Sequence, residues 1–443
     1  MMNNFSESSL SPGDNLPAVS QTDTTPQYLI GLDLVFSGAS GYSVFDYPGD
    51  RLIEQDLLDT GDRSSAKVSE KIERGRDLYN KLADLALQYK KSIWIIEVTD
   101  WLNRAMPQRE RETLKSLALA RGLALGAALI YQTTIPICMG VNEVRDLVIG
   151  HHGTKRAQFD YIRQRYKLLD LANNEANMNV TDAIALPLAF SRVSLQPNNS
   201  KQRKEIIDRR YGKAVLAFQV HTSVVADQFG SRSALRAMPA EVGQVTLKSL
   251  GLTSHLTLEY RKNSAAQGER WAAIDISAAH PGVVVYDRRA GENPWIVFHH
   301  TFTLERSLPD RKKAQSAYEI AVTSNILRML AILKATLNIQ GVVFEYSDWH
   351  RGGRGVEFRK DRIAIDSLFF AYGGLMAGAY HMKIPLIGVN ATDAKLKLAG
   401  KKNAGKADMQ AVIDPFYPFL KNEHTRDAAA LLLTAHGLDA KPD

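Results

Sequence analysis

Two ten-residue segments share one plan. Ser92-Ile93-Trp94-Ile95-Ile96-Glu97-Val98-Thr99-Asp100-Trp101 and Gln340-Gly341-Val342-Val343-Phe344-Glu345-Tyr346-Ser347-Asp348-Trp349 each run apolar strand, Glu, apolar or aromatic residue, hydroxyl residue, Asp, Trp. A short apolar run of this kind reads as a buried strand. A carboxylate at its end is costly to bury unless it is paired or bound to a metal. One such segment constrains little. Two of them predict a chain built from two related halves.

The surrounding order repeats as well. Tyr28 to Asp33 is an apolar strand ending in an acid, followed by the small residues Ser37 to Gly41 and a second strand, Tyr42 to Phe45. This reads as a hairpin. Val68, Ile72, Leu78, Leu82 and Leu85 have helical spacing. After Glu97 come an Ala/Leu-rich helix over 110–130, a short strand at Ile135–Val141, and a basic stretch with Arg145, His151, His152, Lys155 and Arg156. Asn179 to Leu186 reads as a helix with Asp182 near its start. In the second half, Arg270–Asp275 and Val283–Tyr286 form the hairpin around a turn at Ser277–Gly282, and Trp295–Thr303 a third strand. Then come a helix over 316–337, the Glu345 strand, a helix over 368–380, Ile384–Asn390, the lysines 395, 397, 401, 402 and 406, and His424-Thr425-Arg426-Asp427. Glu97 follows Asp33 at nearly the interval by which Glu345 follows Asp275. Asp182 follows Glu97 much as Asp427 follows Glu345.

The expected organisation is a polar tail over 1–26, one α/β domain over 27–195, a basic connector with a small structured insert over 196–266, and a second α/β domain over 267–443. The tail is rich in Ser, Asn, Thr and Pro and reads as disordered rather than as a signal peptide. The 443 residues hold one cysteine, Cys138. This excludes a disulfide framework and a cysteine zinc site within the chain and fits a reducing compartment. The expected location is the cytoplasm, of a bacterium or of a host cell if the source is viral. No run reads as long and apolar enough to span a bilayer, so no membrane partner is expected. The net charge of +7 modestly favours a polyanionic partner.

Asp33, Glu97 and Asp182 in one half, and Asp275, Glu345 and Asp427 in the other, each come from a first strand, a later strand and a C-terminal helix. Such triads suit Mg²⁺, with Mn²⁺ as the alternative, because these cations take carboxylate oxygens. Two ions per site can bind the attacking water and the leaving oxygen of a phosphodiester. Singly, an acid after a strand is usually a turn residue or helix cap, and only the two matching triads favour the metal reading. His424 lies one helical turn before Asp427 and shares its face, which makes it a candidate ligand or base. The corresponding residue of the first half is Asn179, which cannot act as a base. Trp101 and Trp349 sit at one offset from their glutamates. They read either as core aromatics or as rings that stack on an unpaired base. Nearby Arg104, Arg109, Arg111, Arg351, Arg354, Arg359 and Lys360 extend the basic surface.

These residues resemble the RuvC family of Holliday-junction resolvases, within the ribonuclease-H-like superfamily. Half two carries the fuller match, through Ile274-Asp275 with Gly282, the Glu345 strand, the basic stretch Ala394 to Ala407, and His424-Thr425-Arg426-Asp427-Ala428. Half one matches through Asp33, Glu97, Val144-Arg145 to Lys155, and Asp182, and departs at Asn179. The resemblance covers about 170 residues of each half. It implies a mixed five-stranded sheet flanked by helices in each half and a metal-dependent, structure-selective endonuclease that cuts branched DNA. The acids would be its ligands. Trp101, Trp349, Arg145, Lys155, Arg156, Arg351, Arg354, Lys395, Lys397, Lys401, Lys402 and Lys406 would be its DNA contacts. The family acts as homodimers, so this chain is expected to work as a fused monomer. Two rivals remain. One is an ATP-binding protein of the actin, Hsp70 and sugar-kinase group, whose phosphate loop Ser37–Gly41 resembles. The other is a catalytically inactive junction-binding scaffold.

Overall fold

The structure, a computed structural model, describes residues 26–36, 38–47, 51–61, 67–98, 108–132, 134–150, 153–194, 242–246, 257–260, 269–288, 295–304, 308–310, 314–346 and 358–435. Trp101, Trp349, Arg351, Arg354, the tail over 1–25 and most of the connector lie outside them.

Strands β1 (Tyr28–Asp33), β2 (Ala39–Asp46), β3 (Leu52–Asp59), β4 (Ser92–Val98) and β5 (Ile137–Gly140) form a sheet in the order β3-β2-β1-β4-β5. The three hairpin strands are antiparallel, and β4 and β5 run parallel to β1. In the connector, β6 (Val242–Thr246) and β7 (Thr257–Tyr260) make a two-stranded antiparallel pair. A second five-stranded sheet contains β8 (Glu269–Asp275), β9 (Gly282–Arg288), β10 (Trp295–Thr301), β11 (Gly341–Glu345) and β12 (Leu386–Val389), in the order β10-β9-β8-β11-β12. Its pattern of parallel and antiparallel pairs is that of the first. The chain is therefore an α/β protein with two mixed five-stranded sheets flanked by helices, compatible with two ribonuclease-H-like domains. The sequence did not place β3, a polar edge strand (LIEQDLLD) with no apolar run to announce it.

Helix α1 (Val68–Gln88) buries Ile72, Leu78, Leu82 and Leu85, as their spacing predicts. Helices α2 (Gln108–Tyr131), α3 (Val141–Ile149), α4 (Lys155–Arg165) and α5 (Glu175–Ser194) complete the first half. Helix α3 already begins at Val141, where the strand was expected to end. In the second half the helices are α6 (Gln315–Leu337), α7 (Phe358–His381), α8 (Ala391–Ala399), α9 (Lys406–Ile413) and α10 (Glu423–Ala435).

The period of two along each strand sorts the side chains. Ile30, Leu32, Trp94 and Ile96 join Ile274, Val342 and Phe344 in one core that runs through both halves. Leu29, Ile93 and Ile95 face the other way, into a cluster with Ile184 and Leu188 of α5. Trp271, Ala273 and Val343 likewise pack with Ala429 and Leu432 of α10. By the same parity Asp33 and Glu97 point to the α5 face, and Asp275 and Glu345 to the α10 face.

Helices α2 and α7 meet at the centre of the shared core. A Cβ on Gly122 would stand 2.7 Å from the Phe370 carbonyl oxygen, one on Gly373 would stand 2.6 Å from Gly122 Cα, and one on Gly126 would stand 2.4 Å from Ala377 Cβ. Small residues one turn apart thus let the two backbones touch. On the flanks, Tyr380 donates to the Ile72 carbonyl at 2.6 Å and Ser316 to the Cys138 carbonyl at 3.3 Å. Two stretches, Leu114–Tyr131 and Ser316–Leu337, are long and apolar enough to cross a membrane, contrary to the sequence expectation, and 72% of each is buried inside the protein. They are helices of this core. Their apolarity serves helix-on-helix packing, and the buried Arg121–Glu319 pair at 3.7 Å lies among them.

Candidate active site

Site one lies where β1, β4 and α5 converge. β1 and β4 pair in parallel with Leu32 opposite Ile96, so Asp33 and Glu97 end their strands side by side. Helix α5 closes over them because β1 and β2 lack side chains there. A Cβ on Gly31 would come within 2.0 Å of the Ala183 carbonyl oxygen, and one on Gly41, paired with Asp33, within 2.1 Å of the Asn179 carbonyl oxygen. Pro187 lies inside α5 and has no N–H to give to the carbonyl four residues back. Ser43 Oγ fills that place, donating to the Ala183 oxygen at 2.8 Å. This fixes the helix next to Asp182. The helix begins at Glu175, so Asp182 sits about two turns inside it and not near its start as the sequence predicted. Asn179, where the sequence reading starts the helix, lies inside it and donates its amide to the Ala39 carbonyl at 2.9 Å.

Asp33, Glu97 and Asp182 each offer one oxygen, all within 4.8 Å of one another. Asp33 and Asp182 are buried and Glu97 is half-buried. Burial first, then the charge of Asp182, pushes the Asp33 pKa up to about 7 against the pull of Lys155 and Arg145. Burial, then Asp33 and Asp182, raises Glu97 well above the carboxylate range. Both oxygens of Asp182 are engaged: Gln158 Nε2 donates to Oδ1 at 2.7 Å and Lys155 Nζ meets Oδ2 at 2.8 Å. Burial pulls the Lys155 pKa down, but the charge and hydrogen bond of Asp182 outweigh it and the net shift is upward. Gln158 is 2% exposed, and its Oε1 is buried without a hydrogen-bond partner. The three carboxylates make an all-oxygen donor set, which fits a hard divalent cation.

Site two repeats the frame. Asp275 pairs with Gly282, and a Cβ on Gly282 would lie 2.3 Å from the His424 carbonyl oxygen. Burial, then the charges of Asp275 and Asp427, brings Glu345 to about 7, with Lys395 opposing. Burial, then Asp275 and Glu423, brings Asp427 to about 6. His424 Nδ1 lies 2.8 Å from Asp275 Oδ2, and this bond, opposed by burial, raises the His424 pKa. Burial raises Asp275, with His424 pulling it back. With Nδ1 taken, a ligand or proton role of His424 falls to Nε2. The His280 ring stacks on it at 6.1 Å. Among the described residues no second group of three closes up as far as that of site one, although half two is the fuller match in sequence.

The basic residues divide. Register puts Met139 opposite Glu97 and Val389 opposite Glu345, so Arg145 and Lys395 occupy equivalent places beside the acids. Lys155 and Lys406 each open the next helix, and Lys406 pairs with Glu423. Of the others expected at DNA, Arg156 pairs with Asp160 and Lys401 with Asp408 at the surface, and Lys397 donates to the Thr434 carbonyl. Lys402 is exposed. Gln158 and Glu423 were not singled out in the sequence. Glu423 was findable as an acid next to His424, whereas nothing in residue type or spacing marks Gln158.

No family model and no curated protein matches the chain. Solved structures similar to parts of it include two of RuvC. Thermus thermophilus RuvC in complex with Holliday junction substrate aligns at 16% identity and a TM-score of 0.30, over 38% of this chain and 92% of that one. A second T. thermophilus RuvC structure aligns at 17% identity and 0.29, over 39% and 99%. Likenesses of this size carry no statement about activity.

Proposed function

We propose that the chain is a metal-dependent endonuclease that cuts branched DNA, with two ribonuclease-H-like halves acting as a fused pseudo-dimer. The observation that carries this reading is the cluster of Asp33, Glu97 and Asp182, three carboxylates within 4.8 Å on a strand-end frame that recurs around Asp275, Glu345 and Asp427. Carboxylates so buried and so close ionise together only against a cation. Asp33, Glu97 and Asp182 would hold it in site one, and Asp275, Glu345 and Asp427, with His424 beside them, in site two. A bound Mg²⁺ or Mn²⁺ supplies an acidified water and neutralises charge on a phosphodiester.

The remaining work falls to protein groups. Arg145 and Lys395 stand beside the acids and can meet phosphate oxygens. His424 braces Asp275. The ATP-binding reading loses support at the hairpin turns, because the backbone amides that would cradle a phosphate are already bonded. Val35 N–H donates to Ser40 Oγ at 3.0 Å, and the Ala279 and His280 N–H groups donate to Ser277 Oγ.

The test is incubation of the full chain with a synthetic four-way junction and Mg²⁺, beside an ATPase assay. The expected result is strand cleavage, lost in the Asp33→Asn, Asp275→Asn double variant while binding persists and weakens with added salt. Absence of cleavage on junctions, forks and flaps with either metal would reject the proposal. So would a stable dimer with one working half per chain.

A further inference from the structure

The two sites differ in how they treat the lysine that opens the helix before the final acid. In half one, Thr154 caps α4, its side chain accepting from Ala157 N–H at 3.1 Å. This sets Lys155 and, one turn on, Gln158 toward α5, where they occupy the two oxygens of Asp182. In half two the corresponding lysine, Lys406, pairs instead with Glu423, one turn before Asp427 on α10. Half one has Met178 at that position, so nothing there diverts Lys155. One turn past Lys406 stands Met409, buried and apolar, which offers Asp427 no hydrogen bond.

The charges follow. In site one, three carboxylates face Lys155 and Arg145. In site two, Asp275, Glu345, Glu423 and Asp427 face Lys395, Lys406 and His424, so four carboxylates stand there against three in site one. The geometry agrees with the charges, because the site with a cation seated on its helix acid is the one whose carboxylates have drawn together.

We infer that the Lys155 ammonium takes the place of one metal ion in site one, so that site one binds a single divalent cation while site two binds two. The inference rests on the metal-dependent reading above and deepens it. It replaces the symmetric expectation of two ions per site with an asymmetric one.

The test counts Mn²⁺ bound to the full chain by electron paramagnetic resonance, in the presence of a junction with phosphorothioate linkages at the cleavage positions, and needs no turnover. The wild type is expected to bind one ion at site one and two at site two, the sites being told apart with Asp33→Asn and Asp275→Asn. Lys155→Met should add one ion, and that ion should disappear when Asp33→Asn is combined with it. Lys155→Gln serves as the second variant should Met disturb packing. Two ions at site one of the wild type, with no change in the Lys155 variants, would mean that the ammonium swings aside, and would overturn the inference while leaving the nuclease reading intact. An unchanged single ion in both folded Lys155 variants would overturn it too. No Mn²⁺ sensitive to either Asp variant would reject the metal-dependent reading itself.

Discussion

Replacing Asp33 by Asn separates what this residue does for stability from what it does for metal binding. Burial lifts its pKa from 3.8 to about 7. Ionising Asp33 in the metal-free protein therefore costs on the order of 4 kcal/mol, at about 1.4 kcal/mol for each tenfold change in proton affinity. The folded pKa lies above the unfolded one, so the native state binds the extra proton between them. Stability is full below about pH 4, falls as pH rises toward about 7, and is level beyond. Asn has the shape without the charge. In EDTA at pH 8, Asp33→Asn should be more stable than the wild type by as much as about 4 kcal/mol, or roughly 10 °C in Tm for a domain of this size. At pH 4 the two should coincide. With Mg²⁺ the order should shrink or reverse, because a cation binding only the native state stabilises by mass action. Thermal unfolding at pH 4, 6 and 8, with EDTA and with Mg²⁺, measures all of this. If Asp33→Asn is no more stable than the wild type at pH 8 in EDTA, then Lys155 and Arg145 outweigh burial, and the account of the site as a cluster awaiting a cation is wrong.

The sites should also differ in activity. General-base help is worth about 10²–10⁴-fold, and site two has His424 where Asn179 is committed to Ala39. On a supercoiled cruciform, Asp275→Asn should nearly abolish nicking while Asp33→Asn retains most of it, and equal residual nicking would refute the asymmetry. Gly41→Ala puts a Cβ 2.1 Å from the Asn179 carbonyl oxygen. It should destabilise the fold by about 1–3 kcal/mol and weaken Mg²⁺ binding by displacing α5, as calorimetry would show. Glu319→Gln removes the carboxylate that lies 3.7 Å from the Arg121 guanidinium, which is 3% exposed, and should cost about 3–5 kcal/mol. Pairing it with Arg121→Met should recover most of the loss in denaturant titration, and strict additivity would show that the pair is not coupled.

The sequence alone determined the parts whose signal is local. The apolar runs of β1 and β4, each closing on an acid, announced the strands that carry Asp33 and Glu97, and the spacing of Ile72, Leu78 and Leu82 decided the buried side of α1. Ordered repetition of short motifs sufficed to foresee two sheets of one plan and the grouping of Asp33, Glu97 and Asp182. Tertiary structure decided whatever depends on contacts between distant segments. Gly41 reads as a turn residue in the chain, but its purpose is to admit the Asn179 backbone. The seat of α5 on β2 depends on Pro187 leaving the Ala183 carbonyl free for Ser43. The Ala- and Gly-rich stretch of α2 has the composition of a membrane span, and only the approach of Gly122 to Gly373 shows it as the seam between halves. Lys155 and Lys406 look alike in sequence, yet one reaches Asp182 and the other Glu423. A long, flexible cation pairs with whichever carboxylate lies nearest in space, and that distance is set by how two helices pack, which no spacing along the chain encodes.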